Sequence, residues 1–111
     1  MRLPNAAEAH IPPAKLKDYL LSERHAIGKS KARFFRSVGF DETNVPQLEQ
    51  ALLTIARAGH VKDTVVSPHG TKYVIDGSVK TPSGVVARIR TIWIIETGQE
   101  TPRFVTAYPV E

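Results

Sequence analysis

The sequence predicts an α+β domain in which three helices precede a four-stranded antiparallel sheet. Apolar residues in the first half recur every three to four positions, which is typical of helices that pack by one face. From residue 60 onward, β-branched residues alternate with polar ones, which is typical of half-buried strands. Short turns separate these strands, so they should pair as an antiparallel meander. A chain of 111 residues has the size of one domain, and we expect residues 1–111 to form one.

The helix boundaries are marked by residues that favour helix ends. Proline is tolerated in a first turn, so Pro12 and Pro13 would open the first helix, with Leu16, Tyr19 and Leu20 on one face. The third helix would be capped by Asn44, carry Pro46 in its first turn and end at Gly59. We therefore expect the first and third helices to have well-defined ends.

The second helix, predicted from about Ile27 to Val38 and ending at Gly39, carries a lysine in an unusual place. Its apolar stripe consists of Ile27, Phe34, Phe35 and Val38. Lys31 stands inside this stripe, four residues after Ile27. Such a lysine either extends along its apolar neighbours to solvent or lines a cleft, and both interpretations remain open.

Four strands are expected, near residues 61–67, 71–80, 85–96 and 103–110. In the last one, side chains two apart point to the same face, so Thr106 and Tyr108 would present their hydroxyls side by side. The same alternation would place Phe104 and Val110 on that face. A half-buried strand with a terminal tyrosine is the plainer explanation of the pattern.

The two faces of the preceding strand, near residues 85–96, carry different side chains. Arg88 and Arg90 share one face, whereas Thr91 and Trp93 share the other. Either pair could face a cleft, although a tryptophan is more often part of the core.

The formal net charge is +4, and the excess is concentrated in one stretch. No acidic residue occurs between positions 24 and 36, which hold five basic ones: Arg24, Lys29, Lys31, Arg33 and Arg36. This run favours an anionic partner, either a nucleic acid or an acidic protein. A solvated basic helix face is the alternative.

Several classes of protein are disfavoured by what the sequence lacks. Without cysteine there is no disulfide scaffold, thiol nucleophile or Cys-ligated zinc site. The four histidines are too dispersed to make a local metal-ligand pair, and no phosphate-binding loop is present, so we expect neither a metal nor a cofactor. No apolar run has the length of a membrane span or a signal peptide, so we expect a cytoplasmic protein.

The remaining polar residues suit cleavage of an RNA phosphodiester without a metal. RNA supplies its own nucleophile, the 2′-OH, so an enzyme needs a base, an acid and a cation for the developing charge. His25 titrates near neutrality and lies beside Gly28 at a predicted helix start, where phosphate binds favourably. A capping or exposed histidine is the plainer alternative. Lys31 would neutralise phosphate oxygens, and Thr106 and Tyr108 would bind phosphate or stack on a base.

These residues resemble a small bacterial domain family that is largely uncharacterised and similar to toxins of the barnase–EndoU–colicin–RelE (BECR) type. The matching segments are K-L-x-x-Y-L-L at 15–21, His25, Gly28, K-A-R-F-F at 31–35, G-T-K-Y at 70–73, W-I at 93–94 and R-F-V-T-A-Y-P at 103–109. The resemblance implies a metal-independent ribonuclease with helices before a four-stranded sheet. It implies that His25 is the general base or acid, that Lys31 stabilises phosphate charge, and that Thr106 and Tyr108 position the phosphate or base.

The resemblance also implies a dedicated immunity protein or antitoxin, often acidic, as partner. The chain departs from the EndoU pattern, which uses two histidines, because the second has no clear counterpart here. His10 or His69 would have to fold into the cleft, or Lys31 or Tyr108 would have to assist proton transfer.

The leading hypothesis is therefore a BECR-like endoribonuclease toxin that cleaves RNA, with transfer RNA as one candidate, and leaves a 2′,3′-cyclic phosphate. Such a toxin could be free-standing or derived from a larger one. The alternatives are a non-catalytic module that binds RNA or an acidic protein, and a scaffolding subunit. The residues expected to bind RNA are Arg24, Lys29, Arg33, Arg36 and Arg90.

Overall fold

Helices precede a four-stranded antiparallel sheet, so the α+β class predicted from the sequence is confirmed. The computed structural model describes residues 1–22 and 29–110. In chain order its elements are a 3₁₀ turn (Ala6–Glu8), α1 (Pro13–Lys15), a π-helical turn (Leu16–Leu20), α2 (Lys29–Ser37), α3 (Val45–Ala58), β1 (Val61–Ser67), β2 (Gly70–Lys80), β3 (Val86–Glu96) and β4 (Arg103–Pro109).

The first helix begins at Pro13, as predicted, but it widens after one turn. The amide of Leu21 bonds to the carbonyl of Leu16 at 2.8 Å, five residues back, which is the pattern of a π-helix. Leu16, Leu20 and Leu21 are all buried. Widening the turn thus buries two consecutive leucines, which a regular α-helical stripe would not have indicated.

The third helix has its predicted bounds, but Asn44 does not cap it through its side chain. Its Oδ1 accepts the Asp41 amide at 2.9 Å, and its Nδ2 donates to the Gly39 carbonyl at 2.8 Å. Asn44 therefore closes the turn before α3. The described part of the second helix ends at Ser37, followed by Gly39 with a φ of 100°, a conformation that favours glycine.

The sheet is a meander in the order β1-β2-β3-β4, as the short turns predicted. One bulge near its β4 edge decides which residues reach the candidate site. Ile92 pairs with Thr106, whereas Trp93 pairs with Phe104, so Val105 is an extra residue in β4. The expectation that Phe104 shares a face with Thr106 is therefore wrong, because the bulge turns Phe104 into the core, where it is fully buried.

The core lies between the helices and one face of the sheet. The Trp93 and Phe104 rings meet edge to face with centroids 5.3 Å apart. The Trp93 indole donates to Thr91 Oγ1 at 2.8 Å, and that hydroxyl donates to the Ile75 carbonyl at 2.8 Å. Thr91 and Trp93 therefore belong to the core, which leaves the other face of β3, with Arg88 and Arg90, outside it. No helix within residues 1–22 and 29–110 is long and apolar enough to cross a membrane.

Candidate functional site

Lys31 lies at the rim of the buried side of α2. Ala32 and Phe35 are buried, and Phe34 is partly buried against the core. Lys31 itself is half-buried. Its ammonium is held by polar side chains from two other elements, so it does not simply extend along its apolar neighbours to solvent.

Three side chains that are distant in sequence meet at the Lys31 ammonium. Lys31 Nζ donates to the Tyr19 hydroxyl at 2.9 Å and to Thr106 Oγ1 at 3.0 Å. The two hydroxyl oxygens are 3.2 Å apart, so the three atoms form a closed triangle. We call Lys31, Tyr19 and Thr106 the Lys31 cluster. The π-helical turn supplies the phenol, α2 the ammonium and the edge strand β4 the threonine.

Aromatic rings and a second lysine surround this cluster. Lys31 Nζ is 5.4 Å from the centroid of the Tyr19 ring and 5.8 Å from that of Tyr108. Lys15 Nζ lies 4.9 Å from the Tyr19 centroid. These are cation–π distances. The predicted pair Thr106 and Tyr108 is thus brought to the predicted Lys31.

The charge of Lys31 is not balanced by a carboxylate in the described part of the chain. The groups to which it donates there are the neutral hydroxyls of Tyr19 and Thr106. An ammonium has three N–H donors, so within residues 1–22 and 29–110 one N–H and the positive charge are left for an anion. The arrangement is suited to holding an oxyanion such as a phosphate group.

The electrostatic surroundings make the Tyr19 phenol more acidic. Burial raises the pKa of Tyr19, but the hydrogen bonds with Lys31 and Thr106 and the charges of Lys31 and Lys15 lower it by more together. The pKa of Tyr19 therefore lies below the ordinary tyrosine value of 10.0. The phenolate form is stabilised by the ammonium that touches it.

A second polar group crosses the sheet next to this cluster. Arg90 faces Asp76 on β2 and Tyr108 on β4. Its Nε and Nη2 donate to the two Asp76 carboxylate oxygens at 2.8 and 3.0 Å, and Lys62 Nζ lies 3.6 Å from the same carboxylate. The bond from Arg90 lowers the pKa of Asp76 despite partial burial. We call Asp76, Arg90 and Tyr108 the Arg90 row.

The residues predicted to bind RNA lie in different environments. Lys29 and Arg33 are exposed on α2. Arg36 donates to the Leu21 carbonyl at 3.0 and 2.7 Å and pairs with Glu42, whose pKa it lowers to about 2. Arg36 thus ties α2 to the chain before it. Arg24 lies outside the described residues.

The histidines considered for proton transfer are His25, His10 and His69. His25, the predicted base or acid, lies outside the described residues. The backbone of His10 pairs with Arg103 at the edge of the sheet. His69 lies in the turn between β1 and β2. In the sheet order, β3 stands between these two strands and β4, which carries Thr106 and Tyr108. Within residues 1–22 and 29–110, no group of three or more His, Asp or Glu side chains could hold a metal ion.

Tyr19 is the site residue that sequence reasoning missed. It was assigned to the apolar face of the first helix, and its ring does pack against the core. Its hydroxyl nevertheless bonds to Lys31 and Thr106, which are 12 and 87 residues away. The clue was present in the residue type, because tyrosine combines an apolar ring with a polar tip.

Comparison with known proteins identifies a family and a fold. The model of the family described as Domain of unknown function (DUF6883) matches residues 2–111. No curated protein matches the sequence. A chain of a contact-dependent growth inhibition toxin–immunity protein complex from Klebsiella pneumoniae 342 superposes with a TM-score of 0.74. It is 16% identical, and the match covers 96% of this chain and 97% of that one.

Proposed function

Because the chain belongs to the DUF6883 family, whose description assigns no activity, we propose its function from its site: it is a toxin that cleaves RNA without a metal. The observation that carries this proposal is the Lys31 cluster beside Tyr108. An ammonium held by hydroxyls and unopposed by a carboxylate in the described residues suits the charge that develops on a phosphate during cleavage.

The reaction we propose is attack by the 2′-OH of RNA on the adjacent phosphorus, which yields a 2′,3′-cyclic phosphate and a free 5′-OH. Lys31 and Thr106 would hold the non-bridging oxygens. Tyr108 would position the phosphate or stack on a base. The sequence-based expectation for His25, as the residue that takes or gives a proton, remains part of the proposal.

The RNA itself would lie along the basic surfaces near the site. Lys29 and Arg33 are exposed on α2 and able to pair with phosphates. A groove of about 440 Å³ at the β1 side of the sheet is lined by Gly59, His60, Val61, Lys62, Asp76 and Arg88. Asp76 lines this groove and also belongs to the Arg90 row, which includes Tyr108. Arg24 and Arg90 stay in the proposed RNA-binding set.

A toxin of this kind implies a partner that neutralises it. The structural neighbour comes from a toxin–immunity protein complex, and we extend the toxin role to this chain because of its charge. A net charge of +4 with an uninterrupted basic run suits a chain that binds RNA and is blocked by an acidic protein. The finer assignment to the BECR group, and a cytoplasmic target, belong to the same proposal.

The test is cleavage of bulk RNA and of a transfer RNA pool by the purified protein in EDTA. We expect fragments that end in a 2′,3′-cyclic phosphate, detected by mass spectrometry. Lys31→Ala should slow cleavage by about 10²–10³-fold, the usual cost of removing one donor to a transition-state oxyanion. His25→Ala should slow it as well.

Lys17→Ala is the matched control, because Lys17 is an exposed lysine on the π-helical turn that supplies Tyr19. It should cleave at the wild-type rate. Expression of the wild-type chain should arrest bacterial growth, and Lys31→Ala should relieve the arrest. Intact RNA with the wild-type protein, or equal rates for Lys31→Ala and wild type, would overturn the proposal.

The exposed cations of α2 favour a second candidate, a non-catalytic module that binds RNA or an acidic protein. Such a module would leave RNA intact yet bind it. Its affinity should fall steeply with salt, since phosphate contacts release counterions. Binding to RNA without cleavage at any RNA tested would select this candidate over the toxin.

A further inference from the structure

We infer that Tyr19 is a further catalytic residue, the general acid that protonates the leaving 5′-oxygen of RNA; this inference rests on the proposed function. The geometry points to Tyr19 because its hydroxyl shares the Lys31 ammonium with Thr106, where we place the phosphate.

The proton balance of the step is simple. As the 2′-oxygen bonds to phosphorus, its proton passes to the base, for which His25 is the candidate. As the bond between phosphorus and the 5′-oxygen breaks, that oxygen takes its electron pair and the proton of the Tyr19 hydroxyl. The phenolate left behind is paired with the Lys31 ammonium 2.9 Å away. Transfer of the proton from the base to the phenolate through solvent restores both groups.

Tyr19 is better placed for this task than its neighbours. Lys31 already donates to two hydroxyls, and its positive charge is needed at the phosphate. Tyr108 faces Arg90, and its hydroxyl helps to raise the pKa of that guanidinium. The Tyr19 ring is 4.9 Å from the Lys15 ammonium and 5.4 Å from that of Lys31, and both charges stabilise its conjugate base.

Two observations support the inference independently of each other. The pKa of the phenol lies below its ordinary value, which brings it closer to the pH at which it must donate. The tyrosine also sits in a π-helical turn, a distortion found frequently at functional sites. That turn buries Leu20 and Leu21 while Tyr19 keeps its hydroxyl at the Lys31 cluster.

The decisive experiment compares oxygen and sulfur as the leaving atom. A bond that the wild-type protein cleaves in the RNA pool is placed in two oligonucleotides, one natural and one with sulfur in place of the bridging 5′-oxygen. A thiolate leaves without a proton because thiols are far more acidic than alcohols. We expect Tyr19→Phe to slow the natural bond by about 10²–10⁴-fold and to cleave the sulfur bond within a few-fold of wild type.

Tyr73→Phe is the matched control, because Tyr73 is also half-buried against the core but lies on β2. It should match the wild type on both substrates. Equal slowing of both bonds by Tyr19→Phe, or no slowing, would overturn the acid role. Wild-type protein that cleaves neither bond would instead overturn the proposed function, and the acid role with it.

A second measurement examines the phenol itself. Tyrosinate absorbs in the near ultraviolet, so a pH titration that subtracts Tyr19→Phe from wild type isolates this residue. We expect it to titrate below the ordinary value and to move back up in Lys31→Ala. A titration that is the same with and without Lys31 would contradict the ammonium's influence and overturn the inference.

Discussion

Two cations lie near Tyr108, and they have different partners. Arg90 faces Tyr108 across the β3–β4 pair and makes two bonds to the Asp76 carboxylate. Lys31 is 5.8 Å from the Tyr108 ring and is held by the hydroxyls of Tyr19 and Thr106. A carboxylate neutralises Arg90, whereas no carboxylate among the described residues neutralises Lys31.

The difference separates a cation that can contact a phosphate only in competition with its own carboxylate from one whose charge no carboxylate in the described residues opposes. A guanidinium with two bonds to a carboxylate fixes its strands together but presents little net charge to a ligand. An ammonium held by neutral hydroxyls is equally well positioned, yet it still attracts a phosphate with its full charge. The chemistry that we propose therefore depends on what faces Lys31, and not only on Lys31 itself.

The strongest way to break this comparison is to give Lys31 a carboxylate. Thr106→Asp would neutralise the ammonium and repel phosphate, so we expect RNA cleavage to fall by 10²-fold or more, in line with the loss of one oxyanion donor. Thr106→Asn is the matched control, since it has a similar shape without charge. It should retain clearly more activity, measured on the same RNA pool. Equal activity of the two variants would contradict the importance of the unbalanced charge.

The sequence was most informative where local patterns decide structure. The bounds of β1 were predicted without error, and those of α3 follow its flanking Asn44 and Gly59. The short turns were enough to indicate the meander, because antiparallel neighbours need little connecting chain. Lys31 could be singled out because a lysine in an apolar stripe is a local anomaly.

The parts that could not be predicted depend on distant contacts. The bulge at Val105 follows from how β4 pairs with β3, and one extra residue is enough to reverse the face of Phe104. The bond between Tyr19 and Thr106 spans 87 residues of chain. No spacing rule relates two such positions, so the phenol was assigned to the core from its stripe alone.

A milder change sharpens the comparison from the other side by releasing Arg90. Asp76→Asn would remove the charge that neutralises Arg90 and lies near Lys62. We expect tighter RNA binding at low salt, and a steeper fall of affinity with salt by about one phosphate contact for each cation released. Binding would be measured with an inactive Lys31→Ala background to prevent cleavage.

Asp63→Asn is the control for this release. Asp63 is an exposed carboxylate on β1 that accepts the neighbouring Thr64 amide at 2.8 Å, and its removal changes the net charge by the same amount. Equal salt dependence of RNA affinity for the two variants would mean that Arg90 makes no additional phosphate contact when Asp76 is neutral. That result would contradict the distinction between the two cations.

The smallest expected effect concerns stability and pH. The hydrogen bond from Arg90 outweighs burial and lowers the pKa of Asp76 in the folded chain. The pKa of an aspartate in an unfolded chain is about 3.9. A carboxyl whose pKa is lower in the folded chain stabilises the protein fully above that unfolded pKa, and this contribution is lost as the pH falls through the folded pKa. Wild type should therefore exceed Asp76→Asn by about 1 kcal/mol in the free energy of unfolding at pH 7. That difference should shrink as the pH falls through the folded pKa of Asp76 in thermal unfolding, and a difference independent of pH would contradict a charged Asp76 as its source.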